Sequence, residues 1–393
     1  MWNNIKEEIR ALNDQIITWR RDFHQHPELG MEERRTAETI AGILRGFGLE
    51  VSTGVGQTGV VGLLEGGAPG KTILLRADMD ALPIEEANDL PFRSQNPGVM
   101  HACAHDAHMA VLLGVARLFS AHRYDFAGRI KFMFQPGEEG FGGARLMIED
   151  GVLENPAVDA ALALHLISHI PTGVIGLKSG PMMASMDSFR IKIKGKGGHA
   201  AMPEQGVDAI LISAHAITAL QSLISKEVSP LAPLVVHVGM IKGGQAFNIM
   251  AEEVELKGTV RTLDENLQKS IPERMDRILA GVTGSLRGSH ELDYQFGYPI
   301  LVNHEAMTAL VKSVAGQVVG SQKVIEVPAV MGSEDMSFVL QQVPGCFFYV
   351  GTHNPDKGAD QPHHNSRFKI DEDSLAIGAE VLAAAAWKCL QNP

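Results

Sequence analysis

The 393-residue sequence is short of several things. It has three cysteines, Cys103, Cys346 and Cys389, too few for a disulfide framework and in keeping with a reducing compartment. Basic residues are in deficit. The 34 Lys and Arg stand against 46 Asp and Glu, a formal charge of −12, and a nucleic-acid surface needs clustered Lys and Arg instead. No apolar run approaches the roughly 18 residues of a membrane span. Low-complexity tracts, charge blocks and solenoid-spaced repeats are missing too. The opening segment, residues 1–21, reads as an amphipathic, mixed-charge helix rather than a signal peptide. These absences predict a cytoplasmic globular protein with no nucleic-acid or membrane partner. By length it holds roughly two to three domains, with enough chain to bury a core without help from a metal or disulfide.

What the sequence has in quantity is histidine, sixteen in all, and they are grouped. His101, His105 and His108 stand together, as do His165 and His169, and then His353, His363 and His364. Around them, apolar runs bounded by Gly and Pro alternate with longer amphipathic stretches. Helices are predicted over 3–20, 32–46, 107–122 and 142–149, and strands over 60–64, 72–77, 129–134 and 159–165. This alternation argues for an α/β layered domain with a largely parallel sheet. From about Ser185 the pattern changes to strand 188–194, helix 207–224, strands 234–241 and 254–263, helix 267–286 and strand 291–298. That order, βαββαβ, is the ferredoxin-like unit. The α/β pattern resumes with helix 304–318, strand 346–350 and an Ala-rich helix over 373–390. The expected organisation is one α/β domain built from residues 1–184 and 299–393, with a ferredoxin-like domain, 185–298, inserted.

Two phosphate-binding motifs fail on context. Gly54-Val55-Gly56-Gln57-Thr58-Gly59 matches G-x-G-x-x-G, but the next residues favour strand and turn, whereas a phosphate needs a helix N-terminus. Gly70-Lys71-Thr72 resembles the end of a P-loop, but Glu65 stands where its first Gly is required.

The segment His101-Ala102-Cys103-Ala104-His105-Asp106-Ala107-His108 is the richest in chemistry. Thiolate and imidazole suit zinc and its neighbours, and Cys103 and His105, one residue apart in a turn, can converge on one centre. Asp106 reads as a helix N-cap and His108 as a packed or hydrogen-bonding residue. Ile130–Gly140 delivers Glu138 and Glu139 at the carboxyl end of an apolar strand, where open α/β sheets place ligands. Two adjacent carboxylates can divide labour, one binding metal and the other serving as base toward water. The strand Asp159–His165 ends in a third metal-competent side chain. Asp78 and Asp80, after Leu74-Leu75-Arg76, suit carboxylates that orient ligand histidines from behind. Glu204, Asp208 and His215 read as a solvated helix face, His122, His290 and His304 as surface residues, and Cys346 and Cys389 as core. Met182, Met183 and Met186 read as packing.

Several motifs, in order over nearly the whole chain, resemble those of the metallo-amidohydrolases that include hippurate hydrolase, bacterial aminoacylase, auxin-conjugate (IAA-amino acid) hydrolase and related carboxypeptidases. They are His24-x-His26-Pro27-Glu28-Leu29, Leu75–Pro83, Met100–His108, Gln135-Pro136-Gly137-Glu138-Glu139, Gly195–Pro203, Gly258-Thr259-Val260-Arg261 and Gly332-Ser333-Glu334-Asp335. The resemblance implies a zinc-exopeptidase-like catalytic domain carrying two divalent metals, and a ferredoxin-like lid through which the protein homodimerises. It places Cys103, His105, Glu139, His165 and a late histidine on the metals. For the last, His364 followed by Asn365-Ser366-Arg367-Phe368 fits the family pattern better than His363. Glu138 becomes the general base and His199 the oxyanion donor, which can reach a partner subunit's site. Asn248 and Arg261 hold the substrate, Arg261 as a fork for a carboxylate. Asp78 and Asp80 stand behind the ligands. Ala104 replaces the family's Gly in Cys-Gly-His-Asp, and Ser366 its Pro.

The activity this implies is hydrolysis of the amide of an N-acyl amino acid or a short peptide with a free carboxylate. Zinc is the expected metal, with manganese, cobalt or nickel as alternatives. The same site would serve a carboxypeptidase or an esterase. A nicotinamide oxidoreductase would rest on the Gly54 motif alone. A non-catalytic binding protein on this fold is disfavoured because Cys103, Glu138 and His165 are all kept.

Overall fold

A computed structural model describes residues 5–391; positions 3 and 4 of the first expected helix lie outside them. The predicted helix 3–20 is two helices, α1 (Ile5–Ala11) and α2 (Asn13–Gln25). The chain breaks at Leu12, whose N–H lies 3.1 Å from both the Glu8 and Ile9 carbonyls. There follow α3 (Arg34–Gly46), β1 (Glu50–Val55), β2 (Gly59–Glu65), β3 (Ala68–Asp78), α4 (His105–Ala121), β4 (Ala127–Gln135), α5 (Gly143–Glu149), β5 (Ala160–Pro171) and β6 (Ile175–Leu177). The next elements are β7 (Gly180–Met183), β8 (Met186–Lys194), β9 (Gly198–His199), α6 (Ala209–Leu220), β10 (Leu234–Gly243), β11 (Ile249–Met250), β12 (Glu253–Thr262), α7 (Glu265–Ser285) and β13 (Ser289–Tyr298). The chain closes with β14 (Leu301–Asn303), α8 (Glu305–Val319), β15 (Val324–Glu326), α9 (Ser337–Leu340), β16 (Gly345–His353) and α10 (Asp373–Gln391).

These elements form two compact units. Of the described residues, the first comprises 5–180, 302–328 and 335–391, and the second 181–301 and 329–334. The chain passes between them at 180/181 and 301/302, where the sequence suggested 184/185 and 298/299. The short segment 329–334 belongs with the second unit, which no sequence signal suggested. It is tied there by backbone bonds from Ala184 N–H to the Val330 and Gly332 carbonyls.

The first unit is built on an eight-stranded sheet in the order β1-β2-β4-β3-β5-β16-β6-β15. Its centre is parallel, β4 with β3, β3 with β5 and β5 with β16. The sheet as a whole is mixed, a correction to the largely parallel sheet expected. Beyond the centre, β2 runs antiparallel to β4, β1 to β2 and β6 to β16. The Gly54 motif is the turn of the β1–β2 hairpin, with φ of +76° at Gly54, +62° at Gly56 and +83° at Gln57. It leads into a strand and holds no helix N-terminus. α4 is buried on nearly every face from His105 to Phe119, as expected of a helix sandwiched between layers. It packs against α2, α10 and β3. The alanines of α10 (Ala383 to Ala386) are all buried, and small side chains let that helix lie close to the sheet.

In the second unit β8, β10, β12 and β13 form an antiparallel sheet in the order β10-β12-β8-β13. With α6 and α7 this is the βαββαβ topology read from the sequence. Ile191, Ile193, Leu256, Ile212, Leu220, Ile271 and Leu279 form its core. Ala209–Glu227, interrupted by polar residues such as His215 and Gln221, has a mean hydropathy of 1.3 over a window long enough to cross a membrane. Ala209, Ile212, Ala216, Leu220 and Leu223 of this stretch are buried within the unit's own core.

Candidate active site

Strand ends of the first unit carry its polar centre. Within the apolar stretch of β3, Arg76 is fully buried and acts as a node. Its Nε donates to Gln135 Oε1 at 2.8 Å, Nη1 to Asp78 Oδ2 at 2.8 Å, and Nη2 to Asp335 Oδ1 at 3.0 Å. Asp335 also accepts from Gln135 Nε2 and the Ala144 N–H. A buried guanidinium is tolerated only when its donors meet carboxylates in this way.

Two residues past β3, Asp80 performs two tasks. Its carbonyl accepts the Nδ1–H of His105 at 2.8 Å. Its carboxylate accepts the backbone N–H of Glu138 at 3.0 Å on one oxygen and of Glu139 at 2.9 Å on the other. One residue thus orients an imidazole and fixes the turn that presents both glutamates. With Nδ1 committed, His105 offers Nε2 to the site. That atom is buried without a hydrogen bond and lies 3.6 Å from Asp78 Oδ2.

Cys103 and His105 flank Ala104, which holds the left-handed conformation at φ +67°. This accounts for the glycine that the family pattern places there. Cys103 Sγ lies 3.6 Å from His165 Nε2, and His165 Nδ1 donates to the Leu166 carbonyl at 2.8 Å. His364, also left-handed at φ +63°, approaches Glu139 Oε1 to 3.2 Å with Nε2. His363 points elsewhere, its Nε2 accepting the Ser168 N–H at 3.2 Å. The pair is therefore distinguished by geometry, and His364 is the one that joins Cys103 and Glu139.

Burial and neighbouring charge shape the protonation states. Burial pushes the Cys103 thiol well above its usual range, and Glu139 and Glu138 add to the push. Burial opposes the charged form of His105, but the Asp78 carboxylate and its other partners outweigh it and raise the imidazole well above its ordinary value. His165 is held well below by burial and by His108. Burial, with His108 and His364, lowers His363 to about 3. Asp78 is driven well below the carboxylate range, because His105, Arg76 and His108 overcome its desolvation. Cys103 and His105 are thus both held in their protonated forms, and a bound cation would displace a proton from each.

The donor atoms of Cys103, His105 and His165 lie within 4.8 Å of one another, as do those of Cys103, Glu139 and His364, and those of His105, Glu138 and Glu139. Sulfur, nitrogen and carboxylate oxygen in overlapping triplets, with His105 Nε2 left unpartnered, suit borderline divalent cations.

The remaining predicted residues lie in the second unit. His199, on β9, pairs with Ile249 of β11. Its Nδ1 accepts the Ala201 N–H at 3.0 Å, so the ring proton sits on Nε2 and is available to donate. Asn248 is exposed, and its carbonyl accepts the Ala200 N–H at 3.1 Å. Arg261, half-buried on β12, donates to the Met331 carbonyl and approaches Ser333 Oγ.

Sequence reasoning missed two groups. One is the Arg76–Asp335 node, whose two residues lie in the motifs 75–83 and 332–335 but whose pairing no motif recorded. The other lies behind the Cys103 segment, where Asp106 Oδ2 contacts both Arg20 Nε and His24 Nδ1 at 2.8 Å. His24 Nε2 reaches Glu86 Oε1 at 3.2 Å. Asp106 therefore anchors α2 to α4, where the sequence suggested an N-cap.

Sulfur, imidazole and carboxylate donors beside a second glutamate, at the carboxyl ends of the parallel central strands, define the class of metal-dependent hydrolases. Comparison with known proteins makes this specific. Residues 74–388 match the family described as "Peptidase family M20/M25/M40", and the chain belongs to that family. It is 40% identical over 388 residues to thermostable carboxypeptidase 2 of Saccharolobus solfataricus, covering 98% of each chain. It is 47% identical over 306 residues to an N-acyl-L-amino acid amidohydrolase of Geobacillus stearothermophilus, covering 76% of this chain and 82% of that one. A solved Bacillus subtilis dinuclear metal binding peptidase of the M20 family superposes with a TM-score of 0.86 at 31% identity, covering 98% of this chain and 99% of that chain.

Proposed function

We propose that this protein hydrolyses the amide bond of N-acyl amino acids, with short peptides bearing a free carboxylate as related substrates. The reading is carried by the convergence of Cys103, His105, Glu139, His165 and His364 in overlapping triplets, with His105 Nε2 left without a hydrogen bond. It is supported by similarity to an N-acyl-L-amino acid amidohydrolase and to a dinuclear metal binding peptidase. Those five residues would hold two divalent cations, with zinc favoured by a mixed sulfur, nitrogen and oxygen donor set.

Bound there, the cations would supply Lewis-acid polarisation of the scissile carbonyl and would acidify the attacking water. Glu138, its backbone clamped by Asp80, takes the water proton and delivers it to the leaving nitrogen. His199, protonated on Nε2, donates to the developing oxyanion; one such donor contributes about 3–4 kcal/mol. Arg261 and Asn248 bind the substrate carboxylate and backbone, the guanidinium fork giving directionality.

The protein is further proposed to be a cytoplasmic homodimer. Cys103, Cys346 and Cys389 are all free thiols. In the second unit, Ile210, Leu211, Met240 and Ile241 are exposed along α6 and the sheet-edge strand β10. An unpaired edge beside apolar side chains is a ready pairing surface, and sedimentation of the native protein tests it.

The substrate reading is tested by assaying hippurate, N-acetyl amino acids, acyl-dipeptides and the matching esters. Turnover of acyl amino acids with dependence on the free carboxylate supports it. A preference for esters or for dipeptides over all acyl amino acids would replace it with the esterase or carboxypeptidase reading.

A further inference from the structure

We infer that His108 is a positioning residue that aims the His165 ligand through the Leu166 peptide. The inference rests on the metal-site reading above. His108 lies in the first turn of α4 and is buried, with both ring nitrogens engaged. Its Nε2 accepts the Leu166 N–H at 2.9 Å. That places its proton on Nδ1, which donates to Asp78 Oδ1 at 2.6 Å. Asp78 is held in turn by Arg76 Nη1 at 2.8 Å. On the far side, the Leu166 carbonyl accepts the Nδ1–H of His165 at 2.8 Å. The two polar groups of one residue therefore bond to two different imidazoles, and the His165 ring is left with Nε2 turned to Cys103.

The strand register shows why a side chain is needed there. The β3–β5 ladder runs from Ile73↔Ala160 to Arg76↔Ala163 and stops. Past Ala163, the N–H of Leu166 finds its acceptor in His108 rather than in β3. A buried N–H without an acceptor is costly, so His108 both completes the ladder and fixes the peptide that orients His165. The two rings also touch, with centroids 4.6 Å apart at an interplanar angle of 66°. His108 groups with Asp78 and His105 within 4.8 Å, but of the two histidines only His105 has a ring nitrogen, Nε2, without a hydrogen bond. The chain from Arg76 to Asp78, His108, Leu166 and His165 converts a fully buried charge pair into the direction of one metal-binding nitrogen. Partners of this kind behind a ligand are worth about 10- to 100-fold in metal affinity.

The test is metal affinity, measured by chelator competition with zinc and by the absorption bands of the cobalt(II)-loaded protein, in native, His108→Asn and His108→Gln forms. Asn can donate to Asp78 but has no atom at the Nε2 position, whereas Gln places an amide oxygen there to accept the Leu166 N–H. The expected result is about 10- to 100-fold weaker binding with altered cobalt bands in His108→Asn, and recovery of most of that loss in His108→Gln. Native affinity and unchanged cobalt bands in His108→Asn would overturn the proposal. Nitrogen NMR of the unmutated protein, with ¹⁵N-labelled histidine, tests it independently of how the variants fold. His108 is expected as the Nδ1–H tautomer, and an Nε2–H tautomer would overturn it. Failure of the native protein itself to bind zinc or cobalt would instead sink the metal-site reading.

Discussion

In the first unit the candidate ligands are held from behind. His105 is fixed by the Asp80 carbonyl, Glu138 and Glu139 by the Asp80 carboxylate, and His165 by the Leu166 peptide. In the second unit His199 sits exposed on a two-residue ladder, its ring bonded to the Ala201 N–H of its own loop, and Asn248 is exposed beside it. Groups that must converge on small cations need their geometry set within fractions of an ångström. Groups that meet a substrate oxygen or carboxylate can sit on lightly held segments and adjust to what binds.

That contrast can be broken by substitution. The largest effect is expected from Glu138→Gln, which should cut kcat by about 10²- to 10⁴-fold while bound metal, measured by elemental analysis, stays at the native level. Arg76→Leu should come next. It strands Asp78 and Asp335 as buried charges, and removing one partner of a buried pair costs about 3–5 kcal/mol, read by urea denaturation. His199→Ala should lower kcat by about 10²- to 10³-fold, yet leave the urea midpoint and metal content unchanged. A destabilised His199→Ala protein would show that the second unit's residues are as structurally committed as the first's.

His101 gives a pH-dependent test. Both its ring nitrogens are buried without a partner, and burial lowers it to about 4. The folded state therefore resists protonation, so stability from this group is present above the unfolded value near 6.5 and is lost as pH falls toward 4. At pH 5 the cost is about 2 kcal/mol. His101→Phe should raise the thermal midpoint of the metal-free protein at pH 5 relative to native, and change it little at pH 8. The smallest expected effect is that of Ala104→Gly, which relieves a left-handed alanine and should stabilise by about 1 kcal/mol.

Much of this was legible in the sequence, because the informative residues sit on, or just past, strongly patterned elements, His165 within β5 and Glu138 three residues beyond β4. The strands that lead to Asp78 and Glu138 and the one that carries His165 are mostly apolar and buried on both faces over their central residues, and alternation is clean in the second unit's β8. β1 escaped notice because its residues are mostly exposed and show no apolar run. The break at Leu12 escaped because hydrophobic spacing continues through it. The roles of Arg76, Asp335 and Asp106 were hidden for another reason. A buried polar network joins residues as far apart as Arg76 and Asp335, and local pattern carries no record of that pairing.

The most direct measurement is divalent metal bound per chain, followed together with hydrolysis of an N-acetyl amino acid as zinc is titrated into stripped protein. Activity should be absent in the stripped protein, rise with occupancy toward two equivalents, and be lost in Cys103→Ser along with metal. Full hydrolysis by the stripped protein, or by Cys103→Ser without bound metal, would contradict the assignment.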